Sequence, residues 1–387
     1  MPWKNFLVEA RHLSKDPKKD YRLEGRHSCE IVLDLNVAET AAIGRFKKTA
    51  SQLSWANSER PWEPEDFIKR RNDDIYQRMA DFIVARPIDV VLSPSHLAGG
   101  AGEPWLPIDI EGCHALRAAL DRLDAAHVAI DYLLMAPADC FLESAWRSQM
   151  MEAVRTAPFE RLWVRIGGFG HRHHGKMAAV LRALVDFHQL GRPIIADFCG
   201  GLAGLSLLAS GAAFAIAHGV GKAEKTSFDN WMTPPPPPNK KDSGPPQFAY
   251  LGALDGYMDQ KNFMAFLEPE SRKDEFKIRD PDRYFKDRNY NFLRDRAVQF
   301  DSLFSHPPAN RLRVFEGSLQ ERLWDLKQSV ELDAANNLDV SHLERAHWHM
   351  SDLVKALTDL SADVRAVAAA APFRGRNPGQ RPFRLTG

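Results

Sequence analysis

Arg161-Leu-Trp-Val-Arg-Ile166, the amphipathic run from Gly175 to Leu190, and Pro193-Ile-Ile-Ala196 decide the fold. The two short runs are largely apolar, as strands covered on both faces are. Between them Met177, Val180, Leu181, Leu184 and Val185 fall at i, i+3, i+4, i+7 and i+8, a single stripe that lays a helix over a sheet. Strand, helix, strand in this rhythm is the repeat of a parallel sheet.

The rhythm extends in both directions. Strand-like runs occur at 30–34, 89–92, 127–134, 161–166, 193–196, 213–217 and 248–252, and 6–10 offers an eighth. Eight such units close a (β/α)8 TIM-like barrel, with an open doubly wound sheet as the alternative. The expected organisation is a barrel over 1–258, a helical C-terminal region over 259–371 and a basic Gly/Pro tail over 372–387. Two segments interrupt the barrel. One is a charged helical insertion at about 37–86, and the other is a Pro-rich exposed loop at 233–247, Thr-Pro-Pro-Pro-Pro-Pro-Asn-Lys-Lys-Asp-Ser-Gly-Pro-Pro-Gln.

Composition narrows the setting. Lys plus Arg and Asp plus Glu are equal at 51 each, so no global field draws the molecule toward nucleic acid or an anionic membrane, and any such surface is local. Cys29, Cys113, Cys140 and Cys199 form no zinc or disulfide spacing, which places the chain in a reducing compartment, the cytoplasm. No apolar run has the length of a signal or membrane segment.

In a barrel the residues ending each strand converge on one face. That rule collects Asp34, Ser93, His96, Asp131, Arg165, His171, Asp197, His218 and Asp255. Gly201, in Gly200-Gly-Leu-Ala-Gly204, opens a helix after a strand, where backbone N–H groups can cradle an anion. Gly219-Val-Gly-Lys222 ends like a P-loop but has Ile216 and Ala223 where the loop needs Gly and Ser or Thr. Lys222 is then a cation for substrate contact. Arg283-Tyr-Phe-Lys-Asp-Arg-Asn-Tyr-Asn-Phe-Leu-Arg-Asp-Arg296 mixes cations and rings as nucleic-acid surfaces do.

Ile166-Gly-Gly168, the helix around Met177-Ala-Ala-Val-Leu181, Arg192-Pro193 and Leu207-Leu-Ala-Ser-Gly211 with Phe214 resemble the late strands of the tRNA-guanine transglycosylase family. That family is a barrel group that exchanges or inserts modified purine bases in nucleic acid. The resemblance implies that Gly167 and Gly168 line a base pocket. At the position of the family's nucleophilic aspartate this chain has Ala215, and no cysteine follows Cys199 to form the family's zinc site. A covalent mechanism then falls to another carboxylate.

The expected function is a transglycosylase-like enzyme recognising a purine-type base in nucleic acid or in a nucleobase derivative. Asp131 or Asp197 is its nucleophile or general base, and His96 or His218 shuttles a proton. Asp34, Ser93, Arg165, Gly167, Gly168, His171, Gly201, Lys222 and Asp255 contact substrate, and the C-terminal helices offer a homodimer contact. No cofactor is required in this reading. The rivals are a divalent-metal hydrolase with His96, His218, Asp34 and Asp197 as ligands, and a non-catalytic barrel that binds nucleic acid or protein.

Overall fold

The computed structural model describes residues 5–15, 30–69, 74–99, 103–170, 176–219, 224–234 and 247–360. The expectations for the basic tail and for most of the Pro-rich loop lie outside them. Seven strands, β1 (Asn5–Glu9), β2 (Glu30–Asp34), β3 (Val90–Leu92), β4 (Ala129–Pro137), β5 (Leu162–Gly167), β6 (Ile194–Asp197) and β7 (Ala215–Ala217), form one sheet in chain order. Every neighbouring pair is parallel. The winding never reverses, and a doubly wound sheet requires a reversal, so the open-sheet alternative is set aside.

The sheet is strongly curled. In a flat sheet β2 and β5 would lie about 14 Å apart, at about 4.8 Å per strand. Yet Arg165 on β5 reaches Asp34 on β2 at 2.8 Å, and Arg161, just ahead of β5, reaches Glu30 at 2.6 Å. Both bonds cross the concave side, one near each end of the strands, so the sheet bends around them.

Among the described residues no eighth strand closes the barrel. The run at 248–252, expected as a barrel strand, is instead β8 (Phe248–Leu251), paired antiparallel with β9 (Gly256–Asp259) in a separate two-stranded sheet. The reason is the connection. A parallel partner needs a crossover of roughly a dozen residues, whereas only Gly252-Ala-Leu-Asp255 joins these two, with Asp255 turned into the left-handed region at φ 42°. Among the described residues β1 and β7 are therefore the edges of a seven-stranded, partly wrapped barrel.

Alternation along each strand divides the core in two. On β5, Leu162, Val164 and Ile166 face the helices, while Trp163 turns inward with Val32, Val90, Leu92, Leu133, Met135 and Ile195. Helices cover the convex side: α1 (Ala10–Lys15), α2 (Val37–Ala41), α3 (Pro64–Lys69), α4 (Ile75–Val84), α5 (Trp105–Arg122), α6 (Ala138–Leu142), α7 (Ser144–Val154), α8 (Met177–Phe187) and α9 (Gly201–Ala209). The stripe read from sequence on α8 is the buried one, with Met177, Val180, Leu181 and Leu184 inaccessible to solvent. α2, α3 and α4 occupy the insertion between β2 and β3, whose Trp55 and Trp62 are buried.

After β9 the chain is helical: α10 (Gln260–Phe266), α11 (Glu270–Glu275), α12 (Pro281–Lys286), α13 (Arg288–Phe304), α14 (Pro308–Ala335) and α15 (Ser341–Thr358). α14 and α15 pair, and they pack on α9 and α8 respectively, adding a second layer outside one flank of the sheet. Among the described residues no helix is long and apolar enough to cross a membrane.

Arg165→Met leaves two buried carboxylates without their cation. We expect it to lower stability by about 3–5 kcal/mol, the usual cost of removing one partner from a buried pair. Urea unfolding at neutral pH measures the loss, and an unchanged midpoint would mean that the apolar interior alone holds the curl.

Candidate functional site

Asp34 ends β2 and Asp197 ends β6, so the parallel register delivers both to the C-terminal rim of the sheet. Arg165, one strand from Asp197, lies between them. Its Nη2 donates to Asp34 Oδ2 at 2.8 Å and to Asp197 Oδ2 at 2.6 Å, and its Nε adds a 2.7 Å bond to the same Asp197 oxygen. Two oxygens on one nitrogen cannot be farther apart than the sum of those two Nη2 distances, 5.4 Å.

Backbone turns fix the other carboxylate oxygens. Asn36 and Phe198 both adopt left-handed conformations, at φ 54° and 52°. Their N–H groups donate to Asp34 Oδ1 at 2.8 Å and to Asp197 Oδ1 at 2.9 Å. Phe198 also sets its ring 4.9 Å from the Arg165 guanidinium carbon. Burial pushes the Asp197 carboxyl up against the pull of Arg165. For Arg165, burial alone would lower the pKa, but Asp197 and Asp34 outweigh it and raise the guanidinium above its ordinary value.

A second charged group, missed in the sequence, continues this rim toward the β1 edge. Arg11 pairs with Glu9 at 2.8 Å and with Glu39 at 3.6 Å, and its backbone N–H donates to Asn36 Oδ1. The legible signal was Glu9, which ends β1 just as Asp34 and Asp197 end their strands.

The remaining sequence candidates separate into other networks. Asp131, expected at a strand end, is instead the third residue of β4, which runs on to Pro137. Its Oδ2 accepts from Arg161 and from the Trp163 indole, each at 2.7 Å, while Oδ1 has no partner. Burial, opposed by Arg161, pushes its carboxyl up to about 6. Asp131 and Asp197 therefore do not share a site.

Gly201 and Asp255 do meet, in a third network where no substrate is needed to fill it. At the N-terminus of α9, Gly201 N–H donates to Glu224 Oε1 at 3.1 Å, and Leu202 N–H to Asp255 Oδ2 at 3.2 Å. Arg296 clamps Glu224 with bonds of 2.7 and 2.6 Å and takes Tyr250 as a further partner. The anion cradle read from the glycines is thus occupied by the chain's own carboxylates. A Cβ on Gly200 would stand 2.3 Å from Glu224 Oε1, which explains the residue there. His218 borders this network, its Nδ1 3.0 Å from Gly219 O and 3.8 Å from Glu224 Oε1, and burial lowers its pKa against the pull of Glu224.

Ser93 Oγ accepts from Leu133 N–H and bonds the Ser95 hydroxyl at 2.6 Å. His96 follows β3 and bonds Asp109 on α5. The two glycines expected to line a base pocket both touch a strap, residues 224–234, while Gly168 is exposed with open space where a side chain would stand. The Phe228 ring covers Gly167 so closely that a Cβ there would be 2.4 Å from it, and Gly168 N–H donates to Thr226 O. His171 and Lys222 lie outside the described residues. Because His96, His218 and the Asp34–Asp197 pair occupy separate networks, the four-ligand metal arrangement does not form. Among the described residues no group of three or more His, Cys, Asp or Glu is placed to hold a metal ion.

No protein-family model and no curated protein matches the chain. Among solved structures it is similar to a GH26 β-mannanase from Bacteroides ovatus, at 14% identity and a TM-score of 0.34, over 60% of this chain and 74% of that one.

Asp131 gives the interior a pH signature. Its folded pKa lies above the ordinary carboxylate range, so the folded state keeps a proton that the unfolded state has released. This contribution is complete at low pH and is lost as pH rises through about 6. Denaturation midpoints followed across that interval should fall in the parent protein, and Asp131→Asn should flatten this part of the profile. Gly167→Ala, by forcing Phe228 aside, should cost about 1–3 kcal/mol in the same assay.

Proposed function

We propose that the chain is a glycosyl-transferring enzyme of transglycosylase type, exchanging a purine-type base on nucleic acid or on a nucleobase derivative at the C-terminal rim. The carrying observation is the Asp34–Asp197 pair, two buried carboxylates held within 5.4 Å by one guanidinium. Glycosyl transfer with retention uses two carboxyl groups about 5–5.5 Å apart, one of them as nucleophile, and 5.4 Å is the upper limit for the two oxygens that share Arg165 Nη2. In this reading Asp197 attacks the anomeric carbon as the C–N bond to the outgoing base breaks, and the incoming base displaces Asp197 in turn. Burial pushes the Asp197 carboxyl up, and Arg165 opposes that push, drawing it toward the ionised form such an attack requires. Asp34, on the same nitrogen, faces the charge that develops on the sugar.

A planar base as the leaving group rests on the resemblance around Ile166-Gly-Gly168 alone, because Phe228 covers Gly167. The segment around α12 and α13 supplies surface cations in Arg283, Lys286 and Arg294 beside exposed Tyr290, whereas Phe285 and Phe292 are buried and belong to packing. Exposed Trp324, Leu332 and Trp348 on α14 and α15 are the surface that a homodimer would cover.

Incorporation of labelled guanine into bulk tRNA tests the reading. Asp197→Asn should reduce exchange at least about a thousandfold, the scale of losing a covalent nucleophile, with circular dichroism unchanged. Exchange that survives this substitution removes the proposal. A non-catalytic barrel is the second reading, favoured by Phe228 lying over Gly167. It expects no exchange at all, together with salt-dependent tRNA binding that persists in both Asp34→Asn and Asp197→Asn.

A further inference from the structure

His96 carries an unspent polar atom. Its Nδ1 lies 2.6 Å from Asp109 Oδ1, and its backbone N–H donates to Asp109 Oδ2 at 2.8 Å, so one carboxylate accepts twice from the same residue. Trp105 stacks on the imidazole at 3.8 Å and 14°, and Phe67 meets it edge-on at 5.4 Å. Three contacts thus fix the ring. Nε2 is buried and has no hydrogen-bond partner among the described residues, and the whole residue is 3% exposed.

That arrangement is expensive for a histidine that only packs. Leaving a buried ring nitrogen dry forfeits its hydration with no return. A phenylalanine would fill the same space among Trp105 and Phe67 without that loss. An imidazole whose Nδ1–H is held by a carboxylate has its lone pair on Nε2 and is oriented by its partner. Its place also suits chemistry. His96 follows β3, and the next residue, Leu97, bridges to Met135 at the end of β4, whose sulfur accepts from Arg165. The dyad therefore belongs to the same end of the sheet as Asp34 and Asp197. Its outer wall is thin, since Phe67 and Trp105 are themselves only partly buried.

We propose that His96 Nε2 is the proton acceptor for an N–H group of the ligand, a planar nitrogen heterocycle that enters between α3 and the start of α5, with Asp109 as its positioning residue. The proton passes from the ligand nitrogen to Nε2, the bonding pair stays on the ligand nitrogen, and the imidazolium is balanced by the Asp109 carboxylate. The choice of heterocycle rests on the base-exchange reading above, but the geometry of the dyad does not.

Imidazole nitrogens of the full-length 15N-labelled protein, assigned by comparison with His96→Gln, test this directly with free guanine as the probe. We expect Nε2 to be unprotonated and Nδ1 protonated in the free protein, Nε2 to shift when guanine is added, and Asp109→Asn to change the tautomer. In labelled-guanine exchange, His96→Gln should lower kcat about a hundredfold or more with little change in KM, and Asp109→Asn should displace the pH profile. A protonated Nε2 in the free protein, or an Nε2 resonance indifferent to saturating guanine, overturns the inference. Exchange that is lost in Asp197→Asn yet unchanged in His96→Gln also overturns it while leaving the proposed function standing. A guanine-dependent Nε2 shift in a protein without exchange activity supports the inference and removes the glycosyl chemistry.

Discussion

The guanidinium of Arg165 satisfies an electrostatic demand that the strand ends create. Asp34 and Asp197 are buried where they end β2 and β6. Two carboxylates there are tolerable only if a cation with a planar, multi-donor head lies between them. Arg165 meets that need from β5, and in doing so it fixes how far the sheet must bend. The same solution appears at the opposite end, where Arg161 joins Glu30 to Asp131. Between these two ionic levels the interior is apolar, with Trp163 spanning from one toward the other through its bond to Asp131. Buried ion pairs of this kind contribute little net stability over apolar side chains of equal volume. Their contribution is geometric, since each pairing is satisfied only at one curvature and one register.

A common pattern, seen also where Arg11 joins Glu9 and Glu39, connects three further networks. Asp34 with Asp197, Asp131 with Glu30, and Glu224 with Asp255 are each paired acids neutralised by one arginine, Arg165, Arg161 and Arg296 respectively. The third couples the end of β6 and the start of α9 to α13, which is how the helical region is fastened to the sheet. His96 stands apart because its charged partner leaves one ring nitrogen unused.

Much of the sheet was legible because parallel strands write themselves as short apolar runs. The run at 6–10 and those from 30–34 to 213–217 sit where the strands are. The run at 248–252 has the same composition, and only the brevity of Gly252-Ala-Leu-Asp255 distinguishes a hairpin arm from a barrel strand. Rim residues were legible wherever a strand stopped at the charge, as at Asp34 and Asp197. Asp131 misled because His127-Val-Ala-Ile-Asp-Tyr-Leu-Leu134 continues past it, and a polar residue inside a long strand looks like the end of a short one. Asp109 and Glu224 were invisible. Their importance comes from partners distant in sequence, His96 and Arg296, and no local spacing records such a meeting.

The strap at 224–234 bears on how the molecule assembles. It is seated by backbone contacts at three places far apart in the chain: Gly44 N–H donates to Trp231 O, Gly168 N–H to Thr226 O, and Gly200 N–H to Glu224 O. Glycine at 44, 167 and 200 leaves no room for a side chain against it. None of these seats exists until the insertion after β2, the end of β5 and the turn after β6 have already come together. Contacts of such long sequence separation form late. The strap therefore has all three of its seats only where the curved sheet and the insertion after β2 are both in place.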